Sequence, residues 1–220
     1  VNIVKVGETL ELGKEIELKV IAGGRVLRLM CSPNDLEELL LGFAISEALS
    51  DNPKVYVEGD VGVIDNVREA FTMINSSGCI GIYVEEEVGK VFPSKRFKFD
   101  EVVKALEIID TDVYKRTRAY HIAAVVGDDV HVSYDVGRHN AVDKAIGKAF
   151  KNGEDFSKTF LVLSGRISKG IALKCVRAGI PLVVSKAAIL DSAIEVCKNS
   201  GLSAISLASG IAVNNGAIEL

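Results

Sequence analysis

Apolar and polar residues alternate from Ile16 through Leu18 to Val20, with charged residues between them, which is the period of a half-buried strand. Gly23-Gly24 offers a tight turn into a second strand near Val26–Met30. Ser32-Pro33-Asn34-Asp35 predicts a helix start: serine caps, proline suits the first turn, and aspartate faces the positive end of the helix dipole. That helix runs to about Leu49, ahead of Ser50-Asp51-Asn52-Pro53. Residues 54–92 read as short strands with turns, and Phe92-Pro93-Ser94-Lys95-Arg96 as a connector. Asp100 is expected to cap a helix reaching about Lys115, with Val102, Val103, Leu106, Ile109 and Val113 near helical spacing.

The second half is patterned more strongly. Ile122–Val126 and Val130–Tyr134 read as strands joined through Gly127-Asp128-Asp129, a hairpin signal. A helix is expected over about Asn140–Lys151, then a strand at Thr159–Leu163, a helix at Ser168–Ala178, a strand at Leu182–Val184, a helix at Ala188–Asn199 and a strand at Ala204–Leu207. Strands and helices alternating in such short steps imply crossovers and a parallel core, hence an α/β fold.

The 220 residues suit one large domain or two small ones, and the 48% apolar and 25% charged residues are ordinary globular composition. A formal net charge of -4 argues against sequence-independent nucleic-acid binding, which needs a basic face. The longest apolar stretch, near Leu39–Ile45, is far short of the roughly 20 residues of a membrane helix, and residues 1–20 carry no signal-peptide core. Cys31, Cys79, Cys175 and Cys197 match no zinc spacing, so reduced thiols in a cytoplasm are expected.

Ligands of open α/β sheets bind beyond the carboxyl ends of the parallel strands. Those ends here carry Gly137-Arg138-His139-Asn140, Ser164-Gly165-Arg166, Ser185-Lys186 and Ser209-Gly210. Each offers a small residue that lets a ligand approach the backbone, and the first three add a cation. Asn140 is a candidate N-cap with Asp143 three residues on, so the free amides of that helix would point into the crevice beside Arg138. Amides, dipole and guanidinium together suit a phosphate. Turn chemistry alone also favours glycine and serine at any one such position; their recurrence at successive tips is what points to a site.

Asp135-Val136-Gly137-Arg138-His139-Asn140-Ala141-Val142-Asp143-Lys144 resembles the formate dehydrogenase accessory protein family FdhD. So do Leu29-Met30-Cys31-Ser32-Pro33-Asn34-Asp35-Leu36-Glu37-Glu38-Leu39 with Gly42-Phe43 and Ser46-Glu47, and Ser164-Gly165-Arg166-Ile167-Ser168 with Lys174, Ala178-Gly179-Ile180-Pro181 and Val184-Ser185-Lys186. The resemblance spans nearly the whole chain. It implies a cytidine-deaminase-like three-layer mixed sheet in the C-terminal half, residues 99–220, and a smaller α+β N-terminal subdomain, residues 1–98, carrying the cysteine loop. It implies a homodimer that takes persulfide sulfur from a cysteine desulfurase and delivers it to the molybdenum–guanine-dinucleotide cofactor of formate dehydrogenase or a related molybdoenzyme, with guanine-nucleotide phosphates held in a C-terminal pocket.

The chain departs from the family pattern in places. Asn75-Ser76-Ser77-Gly78-Cys79-Ile80-Gly81 holds one cysteine where the family usually has two. Thr117-Arg118-Ala119-Tyr120 replaces a Thr-Gly-Gly ahead of His121, and Tyr134 stands in place of a glutamate. Ala187-Ala188-Ile189-Leu190 replaces Ser-Ala-Pro-Thr, and Ser206-Leu207-Ala208-Ser209-Gly210 lacks an arginine.

Cys79 lies in a Ser/Gly loop, so it is either a plain loop thiol or, as the resemblance implies, the carrier cysteine. A carrier would need its thiol pKa lowered by cations or a helix terminus. Cys175 and Cys197 sit at helical spacing with apolar neighbours and read as core, as does Cys31. The His-x-Glu and Pro-Cys-x-x-Cys patterns of zinc deaminases are absent, so no zinc is expected. His131 alternates with apolar residues and is expected to face solvent. His139 could bind phosphate or a base, or serve as a cap or a core residue. In the resulting picture Cys79 carries sulfur, while Arg138, Asn140, Ser164, Gly165, Arg166, Ser185 and Lys186 hold phosphates. Asp143 and Lys144 set the helix framing them, and His121, His139, Leu207, Ser209 and Gly210 complete the pocket. A nucleotide- or pterin-binding chaperone without sulfur chemistry is the alternative.

Overall fold

The computed structural model describes residues 4–8, 10–68, 72–76, 79–83 and 88–219, the backbone alone for 72–76 and 79–83. Strands β1 (Ile16–Ala22) and β2 (Arg25–Cys31) form the expected hairpin, in register Ile16↔Cys31 to Ala22↔Arg25. Leu18, Val20, Leu27, Leu29 and Cys31 point to one buried face, as the period of two requires. Helix α1 (Leu36–Ser46) covers that face. β3 (Lys54–Glu58) and β4 (Val61–Asp65) complete a sheet of order β2-β1-β4-β3, in which β4 runs parallel to β1.

The start of α1 differs from expectation. Its N-cap is Asp35, in the left-handed region at φ 52°, rather than Ser32. Ser32 is committed to a distant turn: its N–H donates to Asp135 Oδ2 at 2.9 Å and its Oγ accepts from Val136 N at 3.1 Å. A tertiary tie has displaced the local cap. The helix also stops at Ser46, because Ala48 takes a positive φ of 55° and the Leu49 amide folds back onto the Ala44 carbonyl.

β5 (Thr72–Ser76) and β6 (Cys79–Tyr83) form a separate antiparallel pair. Cys79, expected in a loop, begins β6 and pairs with Ser76. Ser77 and Gly78 lie outside the described residues.

β7 (Phe97–Lys98) leads into α2 (Phe99–Lys104), a 3-10 turn at Ala105–Ile109 and α3 (Asp112–Thr117). The single helix expected over 100–115 is thus broken. Asp110 leaves helical geometry at ψ 59°, and Thr111 starts a new helix by accepting from Tyr114 N at 3.4 Å. The β-branched Ile108-Ile109 pair followed by Asp-Thr-Asp favours a break over continuation. Lys98, not Asp100, holds the N-cap position of α2.

The rest follows the alternating pattern: β8 (His121–Val126), β9 (Val130–Asp135), α4 (Arg138–Lys151), β10 (Phe160–Leu163), α5 (Lys169–Ala178), β11 (Leu182–Ser185), α6 (Asp191–Ser200), β12 (Ser203–Ser206), β13 (Ile211–Val213) and β14 (Ile218–Glu219). α6 begins three residues later than expected because Ile167 N donates to the Ala188 carbonyl and Leu190 N to the Ile167 carbonyl, which keeps residues 188–190 extended. β13 through β9 form a mixed sheet of order β13-β12-β11-β10-β8-β9. β10, β11 and β12 are parallel, while β8 opposes β10 and β9 opposes β8.

Alternate residues of each strand feed two cores. Ala123, Val125, Leu161, Leu163 and Val183 meet α4, α5 and α6. Ile122, Ala124, Val162 and Val184 meet Phe97, Val102 and Leu106 on the other face. The architecture is therefore α/β, with mixed sheets in two packed parts. Residues 91–98 join the second part: Val91 N bonds Ser200 O, Phe97 N bonds Ala217 O, and β7 pairs with β14.

Two glycines let the parts approach. A Cβ on Gly42 of α1 would stand 1.7 Å from the Asp143 carbonyl oxygen, and one on Gly147 of α4 would stand 1.9 Å from that of Glu38. Backbone thus meets backbone in both directions, with no room for any side chain.

Candidate anion site at the strand tips

The carboxyl ends of β9, β10, β11 and β12 and the amino end of β8 share one edge of the sheet, as the pairings His121↔Asp135, Leu163↔Ser185 and Ser185↔Ser206 require. The residues beyond those ends are the ones singled out in the sequence. Arg138, His121 and Gly165 meet there. A Cβ on Gly165 would lie 3.3 Å from the Arg138 Cβ and Cδ and 3.4 Å from His121 Nδ1. Glycine at 165 therefore seats the arginine stem and the imidazole side by side. Arg138 Nε is buried and has no hydrogen-bond partner among the described residues. A buried guanidinium N–H without an acceptor is costly, and an anionic oxygen is the acceptor such a group is suited to.

His139 follows Arg138 on the first turn of α4 and packs against α5, where a Cβ on Gly170 would stand 2.9 Å from its Nε2. Burial, together with the Lys174, Arg138 and His121 charges, pushes its pKa down to about 3. His121 is also lowered, by burial and by Arg138, with Asp135 acting the other way. Both imidazoles are thus biased toward neutrality beside a permanent cation. His139 is expected to show flat imidazole carbon shifts by NMR from pH 8 to pH 5, whereas an exposed histidine titrates near 6.5. Because its folded pKa is depressed, its contribution to stability is present above about 6.5 and is lost as the pH falls toward 3.

Several predicted ligands have other partners. The N-cap of α4 is Gly137 rather than Asn140, three residues earlier than expected. Asn140 Nδ2 instead donates to the Met30 carbonyl at 2.8 Å and to Asp135 Oδ1 at 3.0 Å. Lys144, fully buried, pairs with Asp135 Oδ2 at 2.6 Å and donates to the Ser32 carbonyl at 3.0 Å. Asp143 accepts from Lys174 at 2.9 and 3.0 Å and from Ser46 Oγ at 2.6 Å. Asp143 and Lys144 therefore frame α4 from inside and do not face the crevice.

The serines mostly fasten the tips. Ser164 Oγ accepts from Ile122 N, Ser185 Oγ donates to the Gly165 carbonyl at 2.7 Å, and Ser209 Oγ accepts from Ile189 N. Ser185 is fully buried. Arg166, Lys186, Leu207 and Gly210 are exposed at the same edge.

Asp135, Gly170 and Lys174 also belong to the site, although the residue order does not mark them as such. Asp135 sits inside the singled-out run, so only its partners were hidden. His131, expected to face solvent, is buried with Nε2 2.9 Å from Glu154 Oε1. Glu154 closes the 127–129 turn by accepting from the Asp128 and Asp129 amides, and this brings the histidine inward.

Cys31, Cys175 and Cys197 are core thiols as expected. Burial pushes Cys31 and Cys197 up to about 11 and raises Cys175 as well, so none is a ready thiolate at neutral pH. The Cys79 side chain lies outside the described residues.

The model of the FdhD/NarQ family matches residues 14–215, which include both packed parts and the strand-tip run. The chain belongs to the FdhD/NarQ family. It is 32% identical over 212 residues to the sulfur carrier protein FdhD of Methanothermobacter thermautotrophicus, covering 89% of this chain and 85% of that protein. It is 33% identical to protein FdhD of Methanocaldococcus jannaschii, covering 86% and 79%. A crystal structure from Desulfotalea psychrophila, described as a formate dehydrogenase accessory protein, superposes with a TM-score of 0.72 at 20% identity, over 89% of this chain and 84% of that one. That superposition shows a shared overall fold.

Proposed function

We propose that this member of the FdhD/NarQ family is a sulfur carrier, with Cys79 as the carrier residue and the strand-tip crevice as the seat of the phosphates of a molybdenum–guanine-dinucleotide cofactor. The observation that carries the ligand half is Arg138, whose buried Nε lacks an acceptor beside Gly165. The names of the relatives and the inert character of the three core thiols support the sulfur half. Arg138 would hold an anionic oxygen in the interior of the crevice, with Arg166 and Lys186 at its exposed rim. Neutral His121 and His139 are suited to hydrogen bonding at the ligand rather than to charge pairing.

In the loading step the Cys79 thiolate attacks the outer sulfur of a desulfurase persulfide. One S–S bond forms, another breaks, and the desulfurase cysteine leaves as thiolate. Delivery of that sulfur as sulfide consumes two electrons, for which a thiol reductant is the source. The partners in this reading are a cysteine desulfurase and formate dehydrogenase or a related molybdoenzyme, in the cytoplasm, with the carrier as a homodimer. No helix among the described residues is long and apolar enough to cross a membrane. The cytidine-deaminase-like description of residues 99–220, with residues 1–98 as the N-terminal subdomain, belongs to the same reading. The mixed sheet packed on both faces supports it.

GDP, the simplest guanine diphosphate, tests the ligand half by calorimetric titration. Arg138→Ala is expected to bind about 10–100-fold more weakly than the natural chain, the equivalent of losing charge-assisted hydrogen bonds of about 1.5–3 kcal/mol. Arg166→Ala, at the exposed rim, is expected to lose less. Equal affinity of the Arg138 variant would remove the crevice from the function. A cofactor-binding chaperone without sulfur chemistry is the second reading, favoured by the single cysteine in the 75–81 run. It predicts GDP binding without any sulfur gain.

A further inference from the structure

The turn that presents Arg138 and His139 is held chiefly from below, by one carboxylate. Asp135 is fully buried at the end of β9. Its Oδ1 accepts from Gly137 N at 2.8 Å and from Asn140 Nδ2 at 3.0 Å, which sets the entry of the chain into α4. Its Oδ2 accepts from Lys144 Nζ at 2.6 Å, one and a half turns further along the helix, and from Ser32 N at 2.9 Å, across from the N-terminal part. Ser32 returns two bonds: its Oγ accepts from Val136 N and its carbonyl from Lys144 Nζ. Residues 135–137 and the first turn of α4 are thus clamped between one carboxylate and one residue of the other subdomain. Arg138 is the next residue after the clamp.

We propose that Asp135 is a positioning residue for the anion crevice: with Ser32, it fixes the β9–α4 turn so that the Arg138 guanidinium is presented to the ligand, which makes the N-terminal subdomain part of the binding site. The inference rests on the reading of the crevice as an anion site. Asp135 itself, enclosed by four donors, does not reach the ligand. A carboxylate whose two oxygens are both doubly satisfied is a rigid anchor, and a displacement of about 1 Å in a charged group is enough to lose much of its effect on a bound oxygen. Orientation of Arg138 is therefore expected to depend on Asp135 more than overall stability does.

Two readouts separate this role from a general loss of stability: the Arg138 Nε–H resonance by NMR, which needs no ligand, and GDP affinity by calorimetry. Asp135→Ala is expected to shift the Nε–H resonance and to weaken GDP binding at least tenfold. Leu40→Ala, in the separate core under α1, is a control that lowers the melting temperature and leaves both readouts in place. Asp135→Asn keeps an oxygen for Gly137 N and Asn140 Nδ2 but turns an amide N–H2 toward Ser32 N and Lys144 Nζ, so its affinity is expected to fall as well. If Asp135→Ala does not fold, Ser32→Ala supplies the same comparison by removing only the acceptor of Val136 N, with an expected loss of about threefold or more. An unchanged Nε–H resonance in a folded variant would overturn the proposal, as would an affinity that merely follows melting temperature across Asp135 and Leu40 variants. If the natural chain fails to bind GDP, the crevice reading falls, and the resonance alone still decides whether Asp135 positions Arg138.

Discussion

Cys79→Ala is expected to abolish sulfur loading completely, while GDP binding stays within about twofold of the natural chain. The reason is chemical. Transfer from a persulfide needs a thiolate that a second protein can reach, and the other three cysteines are buried with raised pKa values. A thiol at about 11 is deprotonated in only about one molecule in ten thousand at pH 7, and burial then denies access to a partner. None of the three is suited to take over. The measurement is intact-protein mass after incubation with a cysteine desulfurase and cysteine, with and without a thiol reductant. The natural chain should gain one sulfur atom, removable by reductant. A gain of the same size in the Cys79 variant would assign the carrier role to another cysteine, and no gain in either would favour the cofactor-binding reading.

Lys174→Met is expected to cost about 3–5 kcal/mol, the usual consequence of removing one partner from a buried ion pair. Lys174 Nζ donates to Glu47 Oε1 at 2.6 Å, to both oxygens of Asp143 and to Ser46 Oγ at 2.9 Å, and its ammonium stands 5.5 Å from the centre of the Phe43 ring. Arg177 pairs with the other Glu47 oxygen at 2.9 Å. Two cations and two carboxylates from α1, α4 and α5 thus neutralise one another in the joint between the two packed parts. Without Lys174, Arg177 is left to answer two buried carboxylates. For a domain of this size the loss amounts to a fall in melting temperature on the order of 10 °C, readable by calorimetry.

The deficit has a pH signature. Burial, opposed by Lys174 and reinforced by Glu47, pushes Asp143 up to about 6 in the natural chain. Removing the ammonium raises it further. Above about 6, the variant then takes up a proton on folding that the natural chain does not, so variant stability rises as the pH falls through that window. The gap between the two proteins should therefore narrow from pH 8 to pH 6. A gap that stays constant would mean that Lys174 acts by packing alone.

The elements of the second half were legible because each carries a complete local signal. Phe160–Leu163 and Leu182–Ser185 are short apolar runs closed by serine and glycine, and Lys169–Ala178 ends at Gly179, which adopts the left-handed φ of 81° that a helix stop requires. The gathering of Arg138 and Gly165 was also foreseeable, since the strands before them end at one edge, and His121 joins them because the antiparallel β8 begins there. Local signals misled where a distant partner outbid them. Ser32 and Asn140 have the side chains of helix caps, yet their hydrogen bonds go to the Asp135 turn and to Met30, residues far away in sequence. His131 looked solvent-facing because nothing near it in sequence announces Glu154.

The α/β character, the strand-tip run, the three core cysteines and the resemblance to the family are readable from residue order, because hydrophobic period, turn residues and motif spacing are local properties. Which polar residues of the run face the crevice and which bind the protein together depends on how the two parts pack. Asp135, Asp143 and Lys144 are as polar as Arg138, but α1 and the end of β2 close over them, and a buried charge is stable only where its partner has been brought alongside. Arg138 alone of that set keeps a buried donor without an acceptor, and that difference is written in the packing of two helices rather than in the order of ten residues.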